Sequence, residues 1–281
     1  MKVAVTGASG FLGRHVLAEL SRYSVDAVAV TRNAERLLNL PPNARVEEMD
    51  VSLFALDCFA RMGCPDVLIH LAWDGLPNYK SPHHFESELP KHYQFLKTMI
   101  ASGLSSVFVA GTCFEYGMQS GALSEELTPT PNNPYGYAKD ALRQQVAFLK
   151  SVIPFNLIWG RLFYMYGDGQ SSSSLYSQVK DAVLHNDPVL NMSGGEQLRD
   201  YLPVTEVAQT IVRLALSGSD IGTVNICSGK PVSVRRLVEQ WLAENNWKMQ
   251  LNLGNYPYPD YEPMAFWGDA TKLQTILRSM L

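Results

Sequence analysis

Charge is scarce in this chain, and what there is does not cluster. Charged residues make up 18% of 281 positions and the formal net charge is −4. No basic footprint offers itself to a nucleic-acid backbone, so nucleic acid is excluded as an expected partner. Cysteine is equally sparse. Of four, Cys58 and Cys64 are too far apart for a metal knuckle, while Cys113 and Cys227 stand alone, so reduced thiols are expected. His70, His83, His84 and His92 have no acid or cysteine at metal-ligating spacing, which argues against a metal centre. No apolar run approaches the ~20 residues needed to cross a bilayer. The amino terminus runs directly into an apolar strand and a glycine turn with no signal-peptide pattern, so the expected compartment is the cytoplasm. Repeats and low-complexity linkers are lacking too. With 46% hydrophobic residues, what remains is an ordinary globular chain able to bury a large core.

Strand-like and helix-like patterns alternate through the first half. Strands are expected at 2–6, 25–31, 44–48, 66–71, 105–111 and 155–163, and helices at 11–22, 52–61, about 84–102 and 135–150. Continuous apolar strands separated by helices predict an α/β fold, a doubly wound parallel sheet covered on both faces. Beyond Gly167 the loops become rich in Gly, Pro and Asn, with a further helix at 204–216 and an apolar segment at 222–227. This predicts a dinucleotide-binding domain from 1–163 with 202–227, and a smaller, discontinuous substrate lobe from 164–201 with 228–281.

The first strand feeds Gly7-Ala-Ser-Gly10-Phe-Leu-Gly13 into a helix. Such a turn places backbone amides and the positive helix end against a pyrophosphate. Gly7 permits the tight turn, Gly10 the approach of phosphate, and Gly13 close helix-on-strand packing. The spacing is G-x-x-G-x-x-G, not G-x-G-x-x-G. The second strand ends at Thr31-Arg32-Asn33, with no acid before Glu35. An acid there would accept the ribose 2′-hydroxyl and an arginine would take a 2′-phosphate, so NADP(H) is expected in preference to NAD(H). Asp50 either hydrogen-bonds the adenine amino group or caps the helix expected near Ser52.

Tyr-x-x-x-Lys occurs at Tyr93/Lys97, Tyr135/Lys139 and Tyr176/Lys180, so spacing alone selects nothing. Position selects Tyr135. A β-rich run delivers Thr112 just past its end, and Pro134 opens the helix that carries Tyr135 and Lys139 on one face. A phenol of pKa about 10 needs a cation to stabilise its phenolate, which Lys139 can supply. Thr112 would hold the substrate oxygen. A hydroxyl donor, a tyrosine and a lysine downstream of a nucleotide turn predict hydride transfer at a secondary alcohol. Tyr137 competes for the acid role but lies on a different helix face from Lys139. Glu115, close to Thr112, is expected to order the loop.

Taken in order, Thr6-Gly-Ala-Ser-Gly-Phe-Leu-Gly13, His70-Leu-Ala72, Gly111-Thr112-Cys-Phe-Glu-Tyr-Gly117, Pro134-Tyr-Gly-Tyr-Ala-Lys139, Arg161-Leu-Phe-Tyr-Met-Tyr-Gly167 and Arg199-Asp-Tyr-Leu-Pro-Val204 span nearly the whole chain. In these motifs the sequence resembles the extended short-chain dehydrogenase/reductase family of sugar-nucleotide epimerases, dehydratases and reductases. The resemblance implies a Rossmann-type fold and makes Thr112, Tyr135 and Lys139 the catalytic triad. It implies cofactor contacts from Gly7, Ser9, Gly10, Phe11, Leu12 and Gly13, from Thr31, Arg32, Asp50 and Val51, from Leu71, Ala72 and Phe163, and from Tyr135 and Lys139, the lysine reaching the nicotinamide ribose. Arg199 would grip the substrate diphosphate, with Tyr164 beside it where relatives often carry Asn.

Departures narrow the reaction. Cys113-Phe114 replaces the Asp-Glu pair of the family's dehydratases, and Phe114 replaces the cysteine of those that epimerise at carbons 3 and 5. Between Arg161 and Asn186 the one histidine is His185, and the second phosphate-binding arginine near Asp260-Tyr-Glu-Pro263 is absent. The expected activity is therefore NADPH-dependent reduction of a nucleotide-linked 4-keto-6-deoxyhexose. The alternatives are a sugar-nucleotide 4-epimerase with bound NAD and a non-catalytic dinucleotide-sensing regulator. Second apolar faces on helices 84–102 and 135–150 (Tyr93, Phe95, Ile100; Ala141, Phe148) resemble the family's pairing helices and imply a homodimer.

Overall fold

A computed structural model describes residues 1–37, 39–53 and 56–280. Seven strands form one parallel sheet: β1 (Lys2–Thr6), β2 (Asp26–Thr31), β3 (Ala44–Glu48), β4 (Val67–His70), β5 (Ser106–Thr112), β6 (Asn156–Leu162) and β7 (Gly222–Ile226). Their spatial order is 3-2-1-4-5-6-7. The order reverses between β1 and β4, and this leaves a crevice at the carboxyl ends of the strands. The expected Rossmann-type fold is the observed one.

The central strands are apolar on both faces because helices cover both. On one side α1 (Phe11–Leu20) and α6 (Val204–Leu216) pack on Val3, Val5, Ala29, Ile69 and Phe108. On the other, α3 (Leu89–Ala101) and α4 (Pro134–Lys150) pack on Ala4, Val28, Leu68, Val107 and Trp159. A third cluster gathers Val179 of α5 (Leu175–Leu184) with Leu237, Val238 and Trp241 of α7 (Val234–Glu244). It forms a hydrophobic core separate from the two that flank the sheet.

Three local readings change. The helix expected at 52–61 is a 3₁₀ turn at Val51–Leu53 and a single turn, α2, at Cys58–Arg61; positions 54–55 lie outside the described residues. The helix expected from about 84 opens as a π turn, His84–Glu88, before α3. Pro90 has no amide to donate and its ring crowds the preceding turn, which accounts for the widened start. The final helix, α8 (Thr271–Ser279), packs through Leu273, Ile276 and Leu277 on the sheet with α1 and α6, not in the smaller lobe. Phe95 and Ile100 are buried in the core, so they cannot form the second surface face expected for pairing, whereas Phe148 is exposed. No described helix is long and apolar enough to cross a membrane.

Candidate active site

β1 ends at Thr6, and Gly7 turns the chain with φ +69°. A Cβ on Gly7 would stand 2.8 Å from the Ala72 amide, and one on Gly13 only 2.2 Å from the Gly7 carbonyl. Both positions therefore require glycine. Gly10 opens α1 without a side chain to take its first amides, leaving the positive helix end free for an anion. In front of this turn is a cavity of about 280 Å³. Gly7, Ser9, Gly10, Thr31, Arg32, Asp50, Val51, Leu71 and Ala72 line it as expected, while Phe11, Leu12 and Gly13 form the helix turn behind. The cradle and the unfilled helix end fit a dinucleotide.

Details of the rim differ from the simplest reading. The Thr31 hydroxyl is 2.9 Å from that of Ser9 and donates to the Asn33 carbonyl, so it braces the turn. Asp50 lines the cavity and also accepts hydrogen bonds from the Ser52 amide and hydroxyl, capping the 3₁₀ turn. Arg32 is paired at 3.5 Å with Asp74, an exposed acid from the loop after β4.

The three expected catalytic residues converge at the carboxyl end of β5. Asn133 caps α4 by accepting from the Gly136 amide, and Pro134 pre-sets the first turn. Tyr135 is thereby turned inward, 8% exposed, while Tyr137 on the other face is 54% exposed. Lys139 is buried, donates to the Ala110 carbonyl at 2.9 Å, and its Nζ stands 3.9 Å from the centre of the Trp73 ring. Burial pushes the Lys139 ammonium down to about 7, against the pull of Glu115 and Glu88. Burial also raises the Tyr135 phenol, reinforced by Tyr79, Glu115 and Cys113, with the neighbouring Thr112 hydroxyl opposing. In the free protein the phenol is thus held as a proton donor.

Glu115 has the ordering role expected of it, carried further. Its side chain accepts from the Thr112 amide (2.9 Å), from Trp159 Nε1 (2.9 Å) and from Arg161 Nε (2.7 Å), all buried. It fixes Thr112 through a capping box.

Sequence reasoning missed the aromatic wall. Trp73, Tyr79, His84 and Phe114 have ring centres within 5.2–6.3 Å of the Tyr135 ring. It also missed a buried chain of hydrogen bonds. Thr6 Oγ1 lies 2.8 Å from His70 Nδ1, His70 Nε2 lies 2.8 Å from His92 Nδ1, and His92 Nε2 lies 3.2 Å from Glu88. Burial lowers the pKa of both histidines. Burial alone would raise Glu88, but hydrogen bonds from His92 and the Asp74 amide overcome it and hold the acid down to about 2. With both rings neutral, one set of tautomers satisfies every donor: Thr6 O–H to His70, His70 Nε2–H to His92, His92 Nε2–H to the carboxylate. The histidines were visible in the sequence; their link to Thr6 depends on the β1–β4 register, which sets Thr6 beside His70.

The expected substrate residues divide. Tyr164 and Arg199 both line a second cavity, beside the third hydrophobic cluster, but the Arg199 guanidinium is already paired with Glu262 at 3.0 Å. Phe163 is packed with Cys113, Tyr116, Cys227 and Phe266 and is not among the residues lining the nucleotide cavity.

Comparison with known proteins agrees with this fold. The chain is 33% identical to dTDP-6-deoxy-L-talose 4-dehydrogenase (NAD(+)) of Aggregatibacter actinomycetemcomitans, over 95% of this chain and 99% of that protein. It is 28% identical to GDP-6-deoxy-D-mannose reductase of Pseudomonas aeruginosa, over 85% of this chain and 78% of that one. Among solved structures, MoeE5 in complex with UDP-glucuronic acid and NAD superposes with a TM-score of 0.83 at 26% identity, covering 99% of this chain and 93% of that chain. With residues 3–227 matching its pattern, the chain belongs to the NAD dependent epimerase/dehydratase family.

Proposed function

We propose that this protein is a nicotinamide-dependent oxidoreductase acting at C4 of a nucleotide-linked 6-deoxyhexose, interconverting the 4-hydroxyl and the 4-ketone. The observation that carries this reading is the convergence of Thr112, Tyr135 and Lys139 beside the nucleotide cavity. Supporting it is the end-to-end similarity to a 4-dehydrogenase of a dTDP-linked 6-deoxyhexose. A bound nicotinamide would supply hydride exchange at the carbinol carbon. Tyr135 gives the proton to the C4 oxygen on reduction and takes it back on oxidation. The Thr112 hydroxyl holds that oxygen by a hydrogen bond, and Lys139 favours the ionised phenol once the phenol has given up its proton. No Asp-Glu pair follows Thr112, so the proton carriers needed to eliminate water are missing.

NADP(H) preference rested on Arg32 standing alone. With Asp74 at 3.5 Å, a 2′-phosphate would have to compete with a carboxylate for that guanidinium. NAD(H) is therefore the cofactor we assign, the one named for the dTDP-6-deoxy-L-talose enzyme and present in the MoeE5 complex.

A 4-epimerase would use the same three residues, and the chain is also 26% identical, over 99% of its length, to an uncharacterised UDP-glucose epimerase of Bacillus subtilis. Stoichiometry separates the two readings. A dehydrogenase/reductase converts one cofactor per dTDP-, GDP- or UDP-linked sugar. Interconversion of two 4-hydroxy sugars without net change at 340 nm would overturn our assignment in favour of the epimerase.

A further inference from the structure

Arg199 ends a two-residue strand and is buried against Phe266, its guanidinium 4.5 Å from the ring centre. Nη1 donates to the carbonyls of Leu198 (2.8 Å) and Met264 (3.2 Å), and Nη2 meets Glu262 at 3.0 Å. The other Glu262 oxygen accepts from the Tyr164 hydroxyl. Among the described residues, Arg199 and Glu262 are the only charged side chains lining the second cavity. The cavity thus holds one cation and one anion, already paired.

A substrate diphosphate brings negative charge to a site of no net charge. Such groups are held by charge-assisted hydrogen bonds, chiefly from arginine, and Arg199 is the one arginine this cavity offers. Phosphate oxygens cannot share that guanidinium with a carboxylate 3.0 Å away without strong like-charge repulsion. That repulsion is relieved if one partner leaves. Glu262 can leave, because the 256–263 segment that carries it has neither helix nor strand. That segment is tethered at its surface by Lys80–Asp260 and by the Asn132 amide donating to the Tyr261 carbonyl.

We propose that Glu262 occupies, on Arg199 and Tyr164, the place of the substrate's diphosphate, and is displaced when a nucleotide sugar enters. Glu262 is then the residue that sets affinity in the substrate lobe. Its exchange for phosphate transfers two ready-made donors, a guanidinium and a phenol, from one anion to another. This inference rests on the sugar-nucleotide reading above.

The experiment is calorimetric titration of dTDP, UDP and GDP, and of the dTDP-sugar that is turned over, into wild type and Glu262→Gln, with NAD(H) affinity as control. Removing the charge while keeping the shape should tighten nucleotide binding about tenfold and steepen its salt dependence, because the bound phosphate no longer competes with a carboxylate. Unchanged or weaker binding by Glu262→Gln, with wild type binding normally, overturns the exchange and leaves the sugar-nucleotide reading standing. If neither protein binds any nucleotide or nucleotide sugar, both fall. Should the variant fold poorly, hydrogen exchange of the wild type decides: amides of 256–263 should exchange faster with saturating dTDP, and slower or unchanged exchange overturns the proposal.

Discussion

Asp74 lies 3.5 Å from Arg32 across the rim of the nucleotide cavity, an acid reaching from the loop after β4 to the cation at the end of β2. The pair is exposed and worth only about 0–1 kcal/mol to the fold, yet both residues line the cavity we assign to the cofactor. NAD(H) should bind at least as tightly as NADP(H). Asp74→Asn should move the preference several-fold towards NADP(H), and Arg32→Ala should move it back. Fluorescence titration of both cofactors checks this; an Asp74→Asn protein with unaltered preference contradicts it.

Tyr135→Phe should bind NAD(H) normally and lose about 10²–10⁴-fold in kcat, the usual worth of acid–base assistance. Thr112→Ala should lower kcat less. Tyr137→Phe should leave most activity intact, since that phenol faces solvent. Near-native turnover by Tyr135→Phe would remove it from the acid role.

Lys139→Met should abolish activity yet stabilise the free protein. The lysine is buried and its folded pKa falls from 10.5 to about 7. Between those values the unfolded chain binds the extra proton, so stability rises with pH, and the cost of the buried charge is full below about pH 7. The variant's advantage, roughly 1–3 kcal/mol at pH 6–7, should shrink towards pH 10. Urea denaturation across that range measures it, and a variant less stable than wild type at pH 6 would disprove it.

Acid should destabilise the fold well before its carboxylates titrate. His70 and His92 are neutral in the folded chain because burial lowers both. The unfolded chain takes up their protons as pH falls through about 6.5, so stability declines below that value. A progressive loss of stability between pH 7.5 and 5 is expected. A flat profile would show that at least one histidine is charged in the native state.

Gly13→Ala should fold poorly or lose cofactor binding. Its Cβ would lie 2.2 Å from the Gly7 carbonyl and 2.8 Å from the Ala8 Cα, both backbone atoms that cannot yield without moving the turn. Normal NAD(H) affinity in this variant would contradict the cradle.

Local chemistry made much of this molecule readable. Alternating apolar strands and amphipathic helices determined the doubly wound sheet, because burial on both faces leaves no other pattern for those runs. Glycines at 7, 10 and 13 marked the nucleotide turn by what a side chain would obstruct. Helical spacing put Tyr135 and Lys139 on one face, and Pro134 located the start of their helix. Each of these is a short-range relation.

Tertiary structure decided what depends on partners distant in the chain. Arg32 reads in the sequence as an unpaired cation, and only the fold sets Asp74, from the loop after β4, 3.5 Å from it. Arg199 looked free for a diphosphate until the segment 63 positions later brought Glu262 to its guanidinium. Thr6, His70, His92 and Glu88 became one chain only through the β1–β4 register and the widened start of α3. A charge's meaning depends on its counter-ion and its solvation, and both are set by folding. The sequence determined which groups are present and which local elements carry them; packing alone decided which of those groups were already spoken for.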